Sequence, residues 1–167
     1  MSTVDAVALL LTARSMGAIA VLRIAGRDAA GILARLTPDP RRVADLALHG
    51  VTRLQLTEES DPLDDALLLR TEDHAYELHL HGGTAVVDAV LAGIERAGAR
   101  IVSPAAEPEA ATAHRGILAD VLLALPQATT MTAARLLAHQ ADAGLHAWAA
   151  ARLTALGGDP NYNPDGL

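Results

Sequence analysis

Three polar side chains alternate with apolar ones in the stretch "AYELHLHGG", residues 75–83. A β-strand would place Glu77, His79 and His81 on one face, with the two imidazoles about 6.5–7 Å apart along the strand. That spacing is compatible with a zinc site in which the carboxylate is a third ligand. It is also compatible with a face that contacts a small ligand and with an ordinary solvated face. The residues alone leave these interpretations open.

Arg23 stands inside a second apolar segment, "AVLRIAG", residues 20–26. An arginine that its strand buries needs a carboxylate, either from the protein or from a ligand. Glu77 is a candidate internal partner. The other interpretation is an arginine that faces outward into solvent.

The familiar motifs of self-sufficient catalysis are missing from the 167 residues. There is no phosphate-binding G-x-x-x-x-G-K-[ST] loop, no G-x-G-x-x-G loop and no G-x-S-x-G nucleophile turn. The chain also contains no cysteine, which excludes thiol catalysis and thiolate metal sites. Enzymatic activity therefore stays undecided, and no residue is assigned to catalysis or to a metal.

The formal net charge of −7 predicts no broad attraction to nucleic acid or to an anionic membrane. The apolar run at residues 6–11 has no basic segment before it, as a signal peptide would require. No apolar run approaches the roughly 18 residues of a membrane span. We therefore expect a soluble, cytoplasmic protein without strong direct binding of nucleic acid.

Apolar periodicity divides the chain into a mixed first part and a helical second part. Helices are expected over residues 27–36 and 84–97. Strands are expected over residues 4–11, 18–26, 49–57, 66–70, 75–81 and 99–104. Residues 58–65, "EESDPLDD", are expected to form an acidic turn, and "TED" is expected to join two strands as a hairpin.

The second part is rich in alanine and leucine. We expect a linker over residues 105–111, helices over 114–125 and 132–156, and a flexible tail over 157–167. The predicted organisation is an α+β domain at residues 1–104, with helices packed on a mixed β-sheet, and a helical extension at 105–156. A long Ala/Leu helix without a covering element favours a partner surface, which homodimerisation would supply.

Several motifs, in order, resemble the tRNA-modification GTPase TrmE (MnmE) family. The run "TARSMGAIAVLRIAGRDA" is similar to that family's "T-P-P-G-R-G-G-I-G-I-I-R-L-S-G-P-D-A". "ELHLHGG" is similar to its "E-I-S-C-H-G-G", which is followed by a helix and "A-G-A-R" in both. A weaker match joins "TMTAARLLAHQADAGL" to its "D-L-T-Q-A-E-A-V" helix. The matching residues are Thr12, Gly17, Ile19, Arg23, Gly26, Asp28, Ala29, Glu77, His81, Gly82 and Gly83.

The resemblance implies an α+β folate-binding module, related to the fold of the glycine-cleavage T-protein. It implies a homodimer that binds a tetrahydrofolate derivative, 5-formyl-tetrahydrofolate, at or near the dimer interface. By position, Arg23 and Glu77 would belong to the folate pocket. His81, Gly82 and Gly83 would form the strand-to-helix turn of that pocket.

The same resemblance implies a role in modification of the wobble uridine of tRNA, together with a partner protein. The family's GTPase domain has no counterpart in these 167 residues, so we expect no GTPase activity from this chain and a separate GTPase or tRNA-modification protein as its partner. Ala128 stands in the place of a family lysine. The alternative is a diverged, non-catalytic dimerisation or scaffold protein that has lost folate binding.

Overall fold

The computed structural model describes residues 5–106 and 116–155. The chain divides into two compact units, residues 1–111 and residues 112–167. The first unit contains six strands: β1 Val7–Leu10, β2 Ile19–Ala25, β3 Val51–Glu58, β4 Asp61–Glu72, β5 Ala75–His81 and β6 Arg100–Ile101. It also contains three helices: α1 Ala29–Arg35, α2 Arg41–Ala44 and α3 Thr84–Arg96.

All six strands form one sheet in the order β3-β4-β5-β2-β1-β6. The β1–β6 pair is parallel, and the other pairs are antiparallel. β2 therefore lies between β1 and β5, although two helices and two strands separate it from β5 along the chain. This mixed sheet with helices confirms the predicted α+β class.

One face of the sheet carries the core. Alternate residues of β2 and β5 point to this face because side chains of a strand alternate between its two sides. Leu22, Ile24 and Leu78 are fully buried there. They belong to one cluster with Ile32 of α1 and Ile94 of α3. Leucine and other aliphatic side chains fill the space that phenylalanine and tryptophan would fill in many domains.

The opposite face of the sheet carries the residues between those core positions. Arg23 and Glu77 lie on this second face, next to buried Leu22 and Leu78 in sequence. Ile19 of β2, Val51 of β3 and Leu67 of β4 are large apolar residues that are exposed. This second face is where the polar side chains of interest are found.

One local prediction in the first unit was wrong, and one short helix was not predicted. The acidic segment 58–65 is not one long turn, because β4 begins at Asp61 and the reversal is confined to Glu59 and Ser60. Both of these residues have positive φ, of 47° and 83°, which matches the tight turn of a two-residue hairpin. The segment around residue 42 also forms a four-residue helix, α2, which is too short to show helical periodicity in sequence.

The second unit contains helices α4 Gly116–Ala124, α5 Met131–Asp142 and α6 Leu145–Ala155, with a 3₁₀ turn at Leu125–Gln127. The single helix predicted over residues 132–156 is wrong, because it breaks near Gly144. The Gln140 side-chain oxygen accepts a hydrogen bond from the Leu145 N–H at 2.9 Å. A side chain at residue 144 would also collide with Gln140, so glycine allows the sharp break.

Thr130 caps α5 as its hydroxyl accepts a hydrogen bond from the Ala133 N–H at 3.1 Å. The predicted linker after residue 106, the start of the helix at residue 114 and the predicted tail lie outside the described residues. Among the helices of residues 5–106 and 116–155, none is both long enough and apolar enough to cross a membrane.

Candidate functional site

A buried arginine forms the centre of the candidate site. Arg23 of β2 lies directly opposite Glu77 of β5 in the antiparallel register. Arg23 is only 5% exposed although its side chain carries a full charge. A charge this deeply buried requires compensation by neighbouring polar groups.

Three side chains supply that compensation. Arg23 Nη2 donates to Glu72 Oε1 at 2.5 Å, and Arg23 Nη1 donates to Thr71 Oγ1 at 3.2 Å and to Glu77 Oε1 at 3.4 Å. Glu77 is thus a contact of Arg23, which was one of the two interpretations that the sequence left open. Glu72, at the end of β4, makes the shorter contact.

His79 completes this group. Its Nε2 lies 3.6 Å from Glu77 Oε2, beyond a direct hydrogen bond. We refer to Arg23, Thr71, Glu72, Glu77 and His79 as the Arg23 cluster. The cluster occupies the second face of the sheet, where β2, β5 and the end of β4 meet.

Two nitrogens of the Arg23 cluster are buried without a hydrogen-bond partner among the described residues. They are Arg23 Nε and His79 Nε2. Such atoms are uncommon in folded proteins, since leaving a buried donor unpaired costs about 1–3 kcal/mol. The cluster therefore has capacity for further hydrogen bonds.

The side chain of His81 has a different partner from that of His79. Its Nδ1 lies 2.6 Å from Asp64 Oδ1, and its backbone N–H donates to Asp64 Oδ2 at 2.9 Å. The hydrogen bond to Asp64, and then the charge of that carboxylate, raise the pKa of His81 above its ordinary value of 6.5. The side chain of His81 is 73% exposed, whereas that of Asp64 is buried.

The zinc interpretation of this strand finds no support. Among residues 5–106 and 116–155, no three histidine, aspartate or glutamate side chains converge as metal ligands would. His81 contacts Asp64, while His79 approaches Glu77.

Gly82 and Gly83 have different roles in the strand-to-helix turn. Gly82 is buried and exchanges backbone hydrogen bonds with the loop after β1: its N–H donates to the Ala18 carbonyl at 3.1 Å, and its carbonyl accepts from the Gly17 N–H at 3.2 Å. Gly83 is exposed and is the N-cap residue of α3, with extended φ and ψ of −71° and 131°. The turn therefore fixes the loop before β2.

That loop also bounds a cavity that the sequence did not reveal. The cavity has a volume of about 220 Å³ and lies between residues 12–17 and the first turns of α3. Arg14 reaches across to Asp88 at 2.5 Å, and both side chains are exposed. Its lining does not include Arg23, Glu77 or His81, so it is separate from the Arg23 cluster. In the sequence, the loop "TARSMG" was the one feature that pointed to this region, and it contains no local catalytic motif.

Ala128 lies in the second unit, directly after the 3₁₀ turn, with extended backbone angles. Its methyl group offers no charge or hydrogen bond to a ligand. Of the residues assigned from the resemblance, the structure thus brings Arg23 and Glu77 together, puts His81 against Asp64, and puts Gly82 against the 12–18 loop.

These features define an α+β domain with a buried arginine–carboxylate cluster on the face of its sheet opposite α1 and α3. The family model "GTP-binding protein TrmE N-terminus" matches residues 6–108 of the chain. The chain belongs to the TrmE N-terminus family.

Relatives of the chain include several proteins named tRNA modification GTPase MnmE. The protein from Caulobacter vibrioides is 37% identical over 109 residues, which are 58% of this chain and 22% of that protein. The one from Rhodopseudomonas palustris is 34% identical over 95 residues, 51% of this chain and 20% of that protein. The one from Lactococcus lactis subsp. cremoris is 29% identical over 151 residues, 84% of this chain and 33% of that protein. The chain thus spans about a fifth to a third of the length of these relatives.

Among solved structures, the glycine cleavage system aminomethyltransferase T from Bartonella henselae aligns with 56% of this chain and 24% of its own chain. The TM-score is 0.43 and the sequence identity is 19%.

Proposed function

We propose that the chain is a binding module for a tetrahydrofolate derivative, 5-formyl-tetrahydrofolate, and that the Arg23 cluster is its site. The observation that carries this proposal is the direct opposition of Arg23 and Glu77 on β2 and β5, with two buried nitrogens beside them that lack partners among the described residues. The TrmE N-terminus family supports it, because the resemblance that implies folate binding includes these two residues.

The chemistry of the cluster suits this ligand class. An ionised carboxylate only accepts hydrogen bonds, and the amino and ring N–H groups of a pterin are donors. Glu77 Oε1 is directed to Arg23. Its second oxygen, Oε2, has no hydrogen bond or ion pair within residues 5–106 and 116–155 that is shorter than the 3.6 Å approach of His79. In this proposal Glu77 Oε2 accepts from the pterin edge, and Arg23 fixes the orientation of the carboxylate.

His81, Gly82 and Gly83 are proposed to shape the approach to the site without contacting the reactive part of the ligand. Gly82 holds the loop at residues 12–18 against the end of β5 through two backbone hydrogen bonds. His81 anchors the same strand end to β4 through Asp64. Together they fix the end of the strand that carries Glu77.

In this proposal the module forms a homodimer and contributes to modification of the tRNA wobble uridine with a separate GTPase or tRNA-modification protein. Its relatives that bear the name tRNA modification GTPase support this role. Residues 1–167 contain no phosphate-binding loop of the G-x-x-x-x-G-K-[ST] type, and in this proposal GTP hydrolysis comes from outside these residues.

A second candidate is a scaffold or dimerisation protein that has lost the ligand. Ala128 in the place of a family lysine favours this candidate, because a methyl group cannot pair with an anionic part of a folate. Exposed Ile19, Val51 and Leu67 on the second face also suit a protein interface.

Isothermal titration calorimetry with 5-formyl-tetrahydrofolate separates the two candidates. The folate proposal expects the unaltered chain to bind. Glu77→Gln keeps the size of the side chain and removes its charge. Its affinity should be at least tenfold weaker, a loss of about 1.4 kcal/mol or more of binding free energy. Gln55→Glu, at an exposed position of β3 in the same sheet, is a control and should bind like the unaltered chain. Absence of binding at high micromolar ligand would reject the folate proposal and favour the scaffold.

A further inference from the structure

Glu72 makes the closest contact with the buried guanidinium of Arg23. It is the last residue of β4, where the register between β4 and β5 shifts between Arg70 and Glu72. This irregularity lets the carboxylate reach Arg23 Nη2 at 2.5 Å, against 3.4 Å between Arg23 Nη1 and Glu77. Glu72 is therefore the main counter-ion of Arg23.

The two side chains differ sharply in exposure. The side chain of Glu72 is 52% exposed and that of Arg23 is 6% exposed. A half-exposed carboxylate bound to a buried guanidinium lies between that guanidinium and solvent. Glu72 thus occupies the hydrogen-bonding position at Nη2 that an external anion would compete for.

The charges of the Arg23 cluster also oppose an anion. One guanidinium faces two carboxylates, Glu72 and Glu77, and its Nη1 also donates a hydrogen bond to Thr71. A carboxylate or phosphate that entered would displace one acidic side chain and still lie beside the other. Like charges at such short range repel, and a partly buried environment screens them weakly.

We propose that Glu72 is a specificity-determining residue: as the internal counter-ion of Arg23, it excludes anionic groups and leaves the cluster to bind a neutral edge that donates to Glu77 Oε2 and accepts from Arg23 Nε. The identity of that edge rests on the proposed function, but the exclusion of anions does not. A tetrahydrofolate would accordingly meet the cluster with its pterin edge and hold its glutamate carboxylates elsewhere.

Acetate, which copies the carboxylate of glutamate, is the probe for this role. Glu72→Ala opens the position beside Arg23 Nη2, so acetate is expected to raise the thermal unfolding midpoint of this variant above the value in sodium chloride of equal ionic strength. Its affinity for acetate should exceed that of the unaltered chain by about tenfold or more, as expected for a charge-assisted hydrogen bond.

Two control variants test whether the acetate response comes from Arg23 in the Arg23 cluster. Glu58→Ala removes the carboxylate of another arginine pair, Glu58–Arg96, outside the cluster, and should not gain an acetate response. Arg23→Met combined with Glu72→Ala should lose the response. Glu72→Gln, which keeps the size of the side chain, should show a smaller gain in the same direction and serves if Glu72→Ala does not fold.

The outcomes for anion exclusion and folate binding are separable. If neither Glu72 variant responds to acetate, or if the unaltered chain responds equally, the role of Glu72 is overturned even where 5-formyl-tetrahydrofolate binds. If acetate binds Glu72→Ala through Arg23 and no variant binds 5-formyl-tetrahydrofolate, the role of Glu72 stands and the folate proposal fails.

Discussion

A methyl group added to Gly82 would lie 2.3 Å from the carbonyl oxygen of Gly17. The two glycines are 65 positions apart in the chain, yet they join the loop before β2 to the turn before α3. Since the obstructing atom belongs to the backbone, it cannot move away as a flexible side chain could. The space beside Gly82 is therefore closed to every other residue type.

We expect Gly82→Ala to lower the free energy of unfolding by about 1–3 kcal/mol, the cost of forcing an extra carbon into a packed site. Gly83→Ala is the matched control: its methyl group would meet nothing nearer than 3.8 Å, and its φ of −71° suits any residue. It should cost less than about 1 kcal/mol, from the poorer N-cap. Urea denaturation of both variants measures this difference, and equal losses would contradict it.

The Arg23 cluster gives a second prediction, about an uncompensated charge. Glu72→Ala combined with Glu77→Ala leaves the Arg23 guanidinium without a counter-ion, and should destabilise the fold by about 3 kcal/mol. Adding Arg23→Met removes the isolated charge and should recover part of that loss. Chemical denaturation of the double and triple variants tests this. A triple variant that is no more stable than the double one would show that the charge of Arg23 is not the cause.

His81 gives a third prediction, about pH. Because Asp64 raises the pKa of His81 in the folded state, the protonated imidazole stabilises the fold. The contribution is fully present below the ordinary value of 6.5 and is lost as the pH rises through the higher folded pKa. Titration of His81 by NMR should give a pKa above 6.5 in the unaltered chain and a lower one in Asp64→Asn. An identical pKa in both would remove Asp64 as the cause.

The sequence predicted the local structure of the site better than its contacts. An apolar run predicted the strand of Arg23, and alternation of apolar and polar residues predicted the strand of Glu77, which has one face in the core. Their pairing depends on β2 lying beside β5, and no local pattern encodes that neighbour. The role of Glu72 depends on a register irregularity at the end of β4. The "TED" motif predicted a turn there but not this irregularity.

The histidines show the same limit. His79 and His81 occupy equivalent positions in the alternating pattern, so the alternation alone could not distinguish them. His81 bonds to Asp64, which precedes it by 17 positions and comes from the segment predicted as a turn. The extension of β4 to Asp61 puts that carboxylate within reach. Long-range register, which sets these contacts, is decided by the packing of whole strands and not by neighbouring residues.

The exposed apolar residues of the second face give the last prediction, on the proposed dimer. Ile19 and Leu67 are 60% and 50% exposed on the second face of the sheet, the face opposite the core. If this face is the dimer interface, Leu67→Asp places a charge in it. The molar mass measured by light scattering should then fall from that of a dimer to that of a monomer at the same protein concentration. Leu136→Asp, at a position that is 62% exposed in the second unit, is the control and should leave the mass unchanged. A monomer at every concentration of the unaltered chain would reject the dimer, and a Leu67→Asp protein that stays dimeric would place the interface elsewhere.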